Sequence, residues 1–202
     1  MRRSKFFTAA ITFALLAVMV LGCPAPTPTP NRAVSESVIA QILFSSWIPE
    51  TLKVSPCSKR VAYGAQVGDK WFVVVDGEEQ KQYDGIGASG PIFSPCSRRV
   101  AYGAQVGDKW FVVVDGKEEK QYDGIMEGTP IFCPDSKRVA YGAQVGDKWF
   151  VVVDGEEGKQ YDGIVTLGGG KIIFDSPDSL HYLASKGNSV YLVEERIIGK
   201  VR

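Results

Sequence analysis

From Arg99 to Val106 apolar and small or polar residues alternate, with Val100, Tyr102, Ala104 and Val106 on one side and Ala101, Gly103 and Gln105 on the other. That period of two predicts a β-strand. Gly107-Asp108 interrupts it, and Lys109-Trp110-Phe111-Val112-Val113-Val114 follows as the most strand-like run of the chain. Asp115-Gly116 comes next, and Asp-Gly between two extended runs predicts a type I′ hairpin whose central residues need positive φ. A more polar strand, Glu118 to Tyr122, ends at Asp123-Gly124, and Thr129 to Phe132 is a further strand-like piece. Ahead of the whole pattern stands Ser94-Pro95-Cys96-Ser97, with Ser and Pro where a type I turn favours them.

The pattern recurs. Pro56–Ile86, Pro95–Ile125 and Pro134–Ile164 are near copies offset by 39 residues, with Trp71, Trp110 and Trp149 in register. A period near 40 is the length of one four-stranded propeller blade. The Trp-Phe-Val-Val-Val run is apolar on both faces, so it has to be covered twice. Face-to-face stacking of similar sheets achieves this, with Ala101 and Gly103 small enough to admit a neighbour's Trp or Phe. A worn fourth copy begins at Ser176-Pro177-Asp178-Ser179 and lacks the Trp, as terminal repeats often depart from the pattern. The expected fold is all-β, a propeller-like array of about four four-stranded antiparallel blades near 52–90, 91–129, 130–171 and 172–202. The alternatives are a closed ring and an open arc.

The stretch Pro130-Ile131-Phe132-Cys133-Pro134-Asp135-Ser136-Lys137-Arg138-Val139-Ala140-Tyr141 resembles the TolB-like, or PD40, repeat of WD40-related β-propellers, and the resemblance extends over residues 52–202. The family's turn aspartate corresponds to Asp135 and Asp178. Cys57 and Cys96 replace it in the first two copies, a departure at the side chain that usually supports the turn.

Ahead of the repeats the pattern changes. Arg2, Arg3 and Lys5 precede an apolar run from Phe6 to Leu21, the plan of a signal peptide. The ending Val20-Leu21-Gly22-Cys23 resembles the lipobox of bacterial-type lipoproteins, which implies lipidation of Cys23. Pro24 to Pro30 alternates proline with Ala and Thr and predicts an extended spacer. The expected organisation is a lipoprotein signal peptide at 1–22, a tether at 23–32 and a repeat domain at 33–202, held by lipid on the outer face of an envelope membrane. Val34 to Trp47 fits either an amphipathic helix or a short strand, and it is placed to supply a strand that closes the array.

Charge and chemistry narrow the function. Lys plus Arg and Asp plus Glu both number 23, so no net field draws the chain to nucleic acid. A single histidine, His181, speaks against imidazole or transition-metal chemistry, and no cofactor is expected. Gly168-Gly169-Gly170-Lys171 lacks the Ser or Thr of a phosphate loop, and Gly87-Ala88-Ser89-Gly90-Pro91 lacks the last glycine of a nucleophile elbow. Asp69, Asp108 and Asp147, with Asp84, Asp123 and Asp162, recur in every copy as a candidate binding rim, although Asp beside Gly is also what turns require. Cys57, Cys96 and Cys133 are expected not to pair within the chain. The leading expectation is a membrane-tethered, non-catalytic binding or scaffold domain for a protein, peptide or glycan. A propeller-type enzyme using loop carboxylates and a purely structural array are the alternatives, and an incomplete ring would invite homo-oligomers.

Overall fold

The structure is a computed structural model and describes residues 34–42 and 44–198. The apolar leader, Cys23 and the proline tether lie outside the described residues. Two compact units divide the chain at 36/37. In the first, residues 34–36 belong to neither helix nor strand. The second unit carries the repeats.

Four antiparallel sheets follow one another along the chain. The first holds β1 (Lys53–Val54), β2 (Val61–Val67), β3 (Lys70–Val75) and β4 (Glu78–Glu79) in that spatial order. The second holds β5 (Gly85–Ile86), β6 (Ile92–Phe93), β7 (Val100–Val106), β8 (Lys109–Val114) and β9 (Lys117–Glu118). Here β5 and β6 both pair with β7, as two halves of one inner strand broken at 87–91. The third repeats this plan with β10 (Gly124–Ile125), β11 (Ile131–Phe132), β12 (Val139–Val145), β13 (Lys148–Val153) and β14 (Glu156–Glu157). The fourth has β15 (Gly163–Ile164), β16 (Ile173–Ser176), β17 (Ser179–Lys186) and β18 (Ser189–Arg196).

The turns obey their chemistry. Asp115 at φ 52° and Gly116 at φ 79° make the predicted two-residue hairpin between β8 and β9, and Asp76-Gly77 and Asp154-Gly155 match it. Gly107 at φ 59° leads the Gly-Asp turn between β7 and β8, the glycine-first plan of a type II′ turn. The Ser-Pro turn is more elaborate than the sequence suggested. Ser97 donates its amide to the Ser94 carbonyl at 2.8 Å but itself sits at φ 66°, as do Ser58 and Ser136 at φ 56° and 67°.

The hydrogen bonds move the sheet limits relative to the sequence expectation. Gly85–Ile86, expected in a blade at 52–90, pairs with β7 of the second sheet, and Gly124–Ile125 likewise joins the third. The chain passes from one sheet to the next at Tyr83-Asp84, Tyr122-Asp123 and Tyr161-Asp162. Each tyrosine is the last residue bridged to the outer side of its own sheet, opposite Trp71, Trp110 and Trp149. The broken inner strand hid this boundary.

Apolar cores fill the gaps between successive sheets. Val73 and Tyr83 meet Tyr102, Phe111 and Val113 in the first gap. Val112, Val114 and Tyr122 meet Tyr141, Phe150 and Val152 in the second. Val151, Val153 and Tyr161 meet Leu180 and Tyr182 in the third. Covering the Phe-Val-Val run on both faces is thus realised, and each fully buried side chain is worth about 1.5–3 kcal/mol. The tryptophans differ from the expectation: Trp71, Trp110 and Trp149 are only half-buried, two residues after the Gly-Asp turns. Gly103 meets no neighbouring ring either, since the space over it is taken by Gly87 of its own inner strand.

The fourth sheet stops short. Ala184 pairs with Tyr191 as Ala143 pairs with Phe150 in the third sheet. By that register Glu195-Arg196 stands where Asp154-Gly155 turns. Without the Asp-Gly pair β18 runs straight on to Arg196, opposite Ser179, and the fourth sheet has no outer strand among the described residues. Val190 and Leu192 on its far face are 65% and 62% exposed. At the other end the described residues between Val34 and Trp47 form no helix. Trp47 bridges Ala65, the place Ile86 takes on Ala104 in the second sheet. The four stacked sheets do not close, and the arrangement is an open β-propeller-like array.

Candidate functional site

Within each of the first three sheets the Gly-Asp turn marks one end and the Ser/Cys-Pro and Asp-Gly turns the other. All six rim aspartates stand at the Gly-Asp end, but the two sets do different work. Asp84 accepts Lys70 Nζ of the first sheet at 2.6 Å and the Gly107 amide of the second at 2.7 Å. Asp123 repeats this with Lys109 at 2.7 Å and Gly146 at 2.7 Å, and Asp162 with Lys148 at 2.9 Å and Gly187 at 2.7 Å. The lysine bond first, and then the amide, holds Asp84, Asp123 and Asp162 below the usual carboxylate range. These three carboxylates clasp successive sheets together. Asp108 and Asp147 are turn tips, with 87% and 85% of their side chains exposed, touching Lys109 at 3.7 Å and Lys148 at 3.1 Å. Asp69 is an exposed tip of the same kind.

The Ser-Pro end carries a second set of clasps. Arg60 Nε meets Asp76 at 2.7 Å while Nη1 donates to the Ser97 and Arg98 carbonyls of the next sheet at 2.9 and 2.8 Å. The guanidinium also lies over the Phe93 ring, 5.3 Å from its centroid. Arg99 repeats this on Asp115, Ser136, Lys137 and Phe132. In the third interface Arg138 bonds Asp154 at 2.8 Å and Asp178 at 3.0 Å instead.

The cysteines follow the same repeat. Cys57, Cys96 and Cys133 are all free thiols. Cys57 and Cys96 stand in the turn-aspartate position and are exposed. Hydrogen bonds from Ser55 and then Ser97 lower the Cys57 thiol to about 7, and bonds from Ser136 and then Ser94 lower Cys96 equally. The sulfur thus takes over the acceptor role that Asp135 plays towards the Lys137 amide at 3.1 Å. Cys133 is buried, which raises its thiol.

Towards the broken inner strands the gaps between sheets open into clefts. Between the third and fourth sheets a cleft of about 490 Å³ is lined by Met126, Glu127, Trp149, Ile164, Thr166 and Lys171. Its counterpart between the second and third, about 330 Å³, is lined by Gly87, Ser89, Trp110, Ile125, Met126 and Glu127. The Ser89 hydroxyl accepts the Gly128 amide at 3.2 Å and joins the two inner loops. Each cleft has a half-buried indole, apolar walls and a few polar groups, the usual composition of a ligand pocket. Sequence reasoning missed these clefts because it placed the tryptophans in the core. Among the described residues no group of three His, Cys, Asp or Glu side chains is arranged to hold a metal. His181 is engaged by the Asp175 carboxylate at 2.8 and 2.9 Å.

No family model and no curated protein sequence matches the chain. Solved structures similar to it include a β-propeller domain. TolB from Acinetobacter baumannii is 16% identical over 73% of this chain and 40% of its own, with a TM-score of 0.46. The β-propeller domain of the Trilobed protease from Pyrococcus furiosus is 13% identical over 70% of this chain and 54% of its own, at 0.43. The Pyrococcus horikoshii acylaminoacyl peptidase is 14% identical over 70% and 31%, at 0.40. The chain spans about half or less of the length of each.

Proposed function

We propose that this chain is a lipid-anchored, non-catalytic binding module of the cell envelope, which holds an extended segment of a protein, peptide or glycan along its inter-sheet clefts. The observation that carries this reading is the recurrence of a half-buried tryptophan, Trp110 and then Trp149, in equivalent clefts of consecutive interfaces. Evenly repeated aromatic subsites suit a ligand that is itself a repeating chain. The recurrent carboxylates Asp84, Asp123 and Asp162 are tied into clasps with lowered pKa, whereas a glycosidase-type pair needs one acid held protonated. The turn tips Asp69, Asp108 and Asp147 would add an acidic margin beside the clefts. The basic, apolar leader ending at Cys23 supports the anchor, with the proline tether as spacer.

Titration of the mature chain with chito-oligosaccharides and, separately, with extended peptides tests the reading through tryptophan fluorescence. A saturable change that weakens at least tenfold in Trp110→Ala/Trp149→Ala, with circular dichroism unchanged, is expected. Equal binding by that variant would overturn the cleft assignment. For the anchor, labelling with a tagged fatty acid should disappear in Cys23→Ala; retained label would exclude that cysteine.

A further inference from the structure

The two ends of the array carry complementary defects. In the first three sheets an outer strand pairs with the Trp-Phe-Val strand, Glu78 opposite Val75, Lys117 opposite Val114 and Glu156 opposite Val153. Among the described residues the fourth sheet has no such strand, and there β18 presents an unpaired edge with Val190 and Leu192 exposed beside it. The segment before the first sheet has the converse problem. Trp47 occupies the position of Ile86, so by the 39-residue offset Ile39 stands at Glu78, Ala40 at Glu79 and Phe44 at Tyr83. Residues 39–42 and 44 therefore hold the positions of an outer strand with no strand edge to pair with, and they rest on the first sheet, where the Tyr63 hydroxyl donates to the Gln41 carbonyl at 3.4 Å and Ile42 packs against the core. Residues 39–42 form no strand, and Phe44 is 80% exposed where its counterpart Tyr83 is 2% exposed. Phe44 is nevertheless already seated against Trp47, with ring centroids 5.7 Å apart.

We infer that two copies of this chain complete one another, residues 39–44 of each copy adding as the outer strand on β18 of the other. The edge supplies main-chain donors and acceptors, and the exposed apolar face of the fourth sheet supplies the burial. In register, Ile39 falls opposite Glu194 and Phe44 opposite Val190, as Glu156 falls opposite Val153 and Tyr161 opposite Trp149. Phe44 then gains the cover that Tyr83 has. The contact is head to tail, so it must either close into a ring or run on as a filament. Two copies bring together about eight blades, the upper end of the usual range for closed propellers, whereas three would exceed it.

The test uses the full chain in detergent, with Ile39→Cys and Glu194→Cys made in separate copies, mixed, and oxidised with copper phenanthroline. A disulfide-linked dimer is expected from the mixture, well above that from either single variant or the wild type, whose three described native thiols set the background. Adding Leu192→Lys should cut the dimer yield at least tenfold with an unchanged circular dichroism spectrum, because Leu192 is exposed in the single chain. Three results would overturn the inference. The first is a double variant, with both cysteines in one copy, that cross-links only within the chain, meaning four blades close alone. A ladder beyond the dimer would mean a filament. Absence of any specific cross-link would leave β18 to another occupant.

Discussion

Arg138 and Asp178 lie 40 residues apart in sequence, and the guanidinium Nη2 is 3.0 Å from the carboxylate across the gap between the third and fourth sheets. The Arg138 side chain is 4% exposed, against 30% for Arg60 and Arg99 at the earlier interfaces. Its partner Asp154 is the counterpart of Asp76 and Asp115, and the added partner is Asp178, a carboxylate on the side where Arg60 and Arg99 meet backbone carbonyls. Removing the arginine from a largely buried, charge-assisted set leaves its carboxylates without their counter-charge, although Asp154 keeps the Val139 amide at 3.0 Å. Arg138→Met should therefore cost about 2–3 kcal/mol, moderated because Asp178 is open to solvent, and Arg60→Met about 1 kcal/mol. Urea unfolding of the two variants checks the ratio; equal losses would show that burial of Arg138 adds nothing.

Gly103 and Gly142 hold the same repeat position and should respond oppositely to alanine. A Cβ on Gly103 would meet the Gly87 Cα at 3.8 Å, an ordinary contact, whereas one on Gly142 would fall 2.7 Å from the Met126 Cβ. Relief of glycine's backbone freedom should make Gly103→Ala neutral or stabilising by about 0.5 kcal/mol. Overpacking should make Gly142→Ala destabilising by about 1–3 kcal/mol. Thermal melts of the two variants give the signs directly.

Acid should release the clasps at the Gly-Asp end. Asp84, Asp123 and Asp162 have folded pKa values below their ordinary one, so each adds stability that is present above about pH 4 and fades as pH falls through the lowered folded value. The triple variant Asp84→Asn/Asp123→Asn/Asp162→Asn should melt lower than the wild type at pH 7 and converge with it near pH 2. A melting difference that persists unchanged at pH 2 would assign the loss to packing.

Thiol reactivity should sort by repeat position. At pH 7 Cys57 and Cys96 should alkylate with iodoacetamide along a titration centred near 7, while Cys133 reacts only on unfolding. Ser55→Ala removes the largest hydrogen bond to Cys57 and should shift its profile upward while leaving Cys96 in place. Mass spectrometry of tryptic peptides separates the sites, and a Cys57 profile unmoved by Ser55→Ala would sink the assigned cause.

Much of the fold could be read along the chain because it was written locally. Asp115-Gly116 demands its hairpin, and Phe111-Val112-Val113 demands cover on both faces. What escaped was decided between segments. Nothing within Gly85-Ile86 says which sheet it joins, since the inner strand is interrupted before it reaches Ile92. The indole of Trp110 looks like core until it is found lining a cleft between sheets. Asp84 and Asp108 are alike as Asp in a turn context, yet only Asp84 lies within reach of both a lysine and an amide of the adjoining sheets. Cys57 and Cys96, flagged as losses from the turn, proved to be acceptors in their own right.

The passage of the chain from sheet to sheet at Tyr-Asp has a genetic corollary. Excising residues 84–122 would join Tyr83 to Asp123 and restore Tyr-Asp-Gly-Ile at the seam, leaving a three-sheet chain with its clasping residues in phase. Unequal recombination between the near-identical copies makes such cuts and insertions in steps of 39 residues. Each step would alter the reach of the stack and the number of its clefts without asking any surviving residue to find a new kind of neighbour.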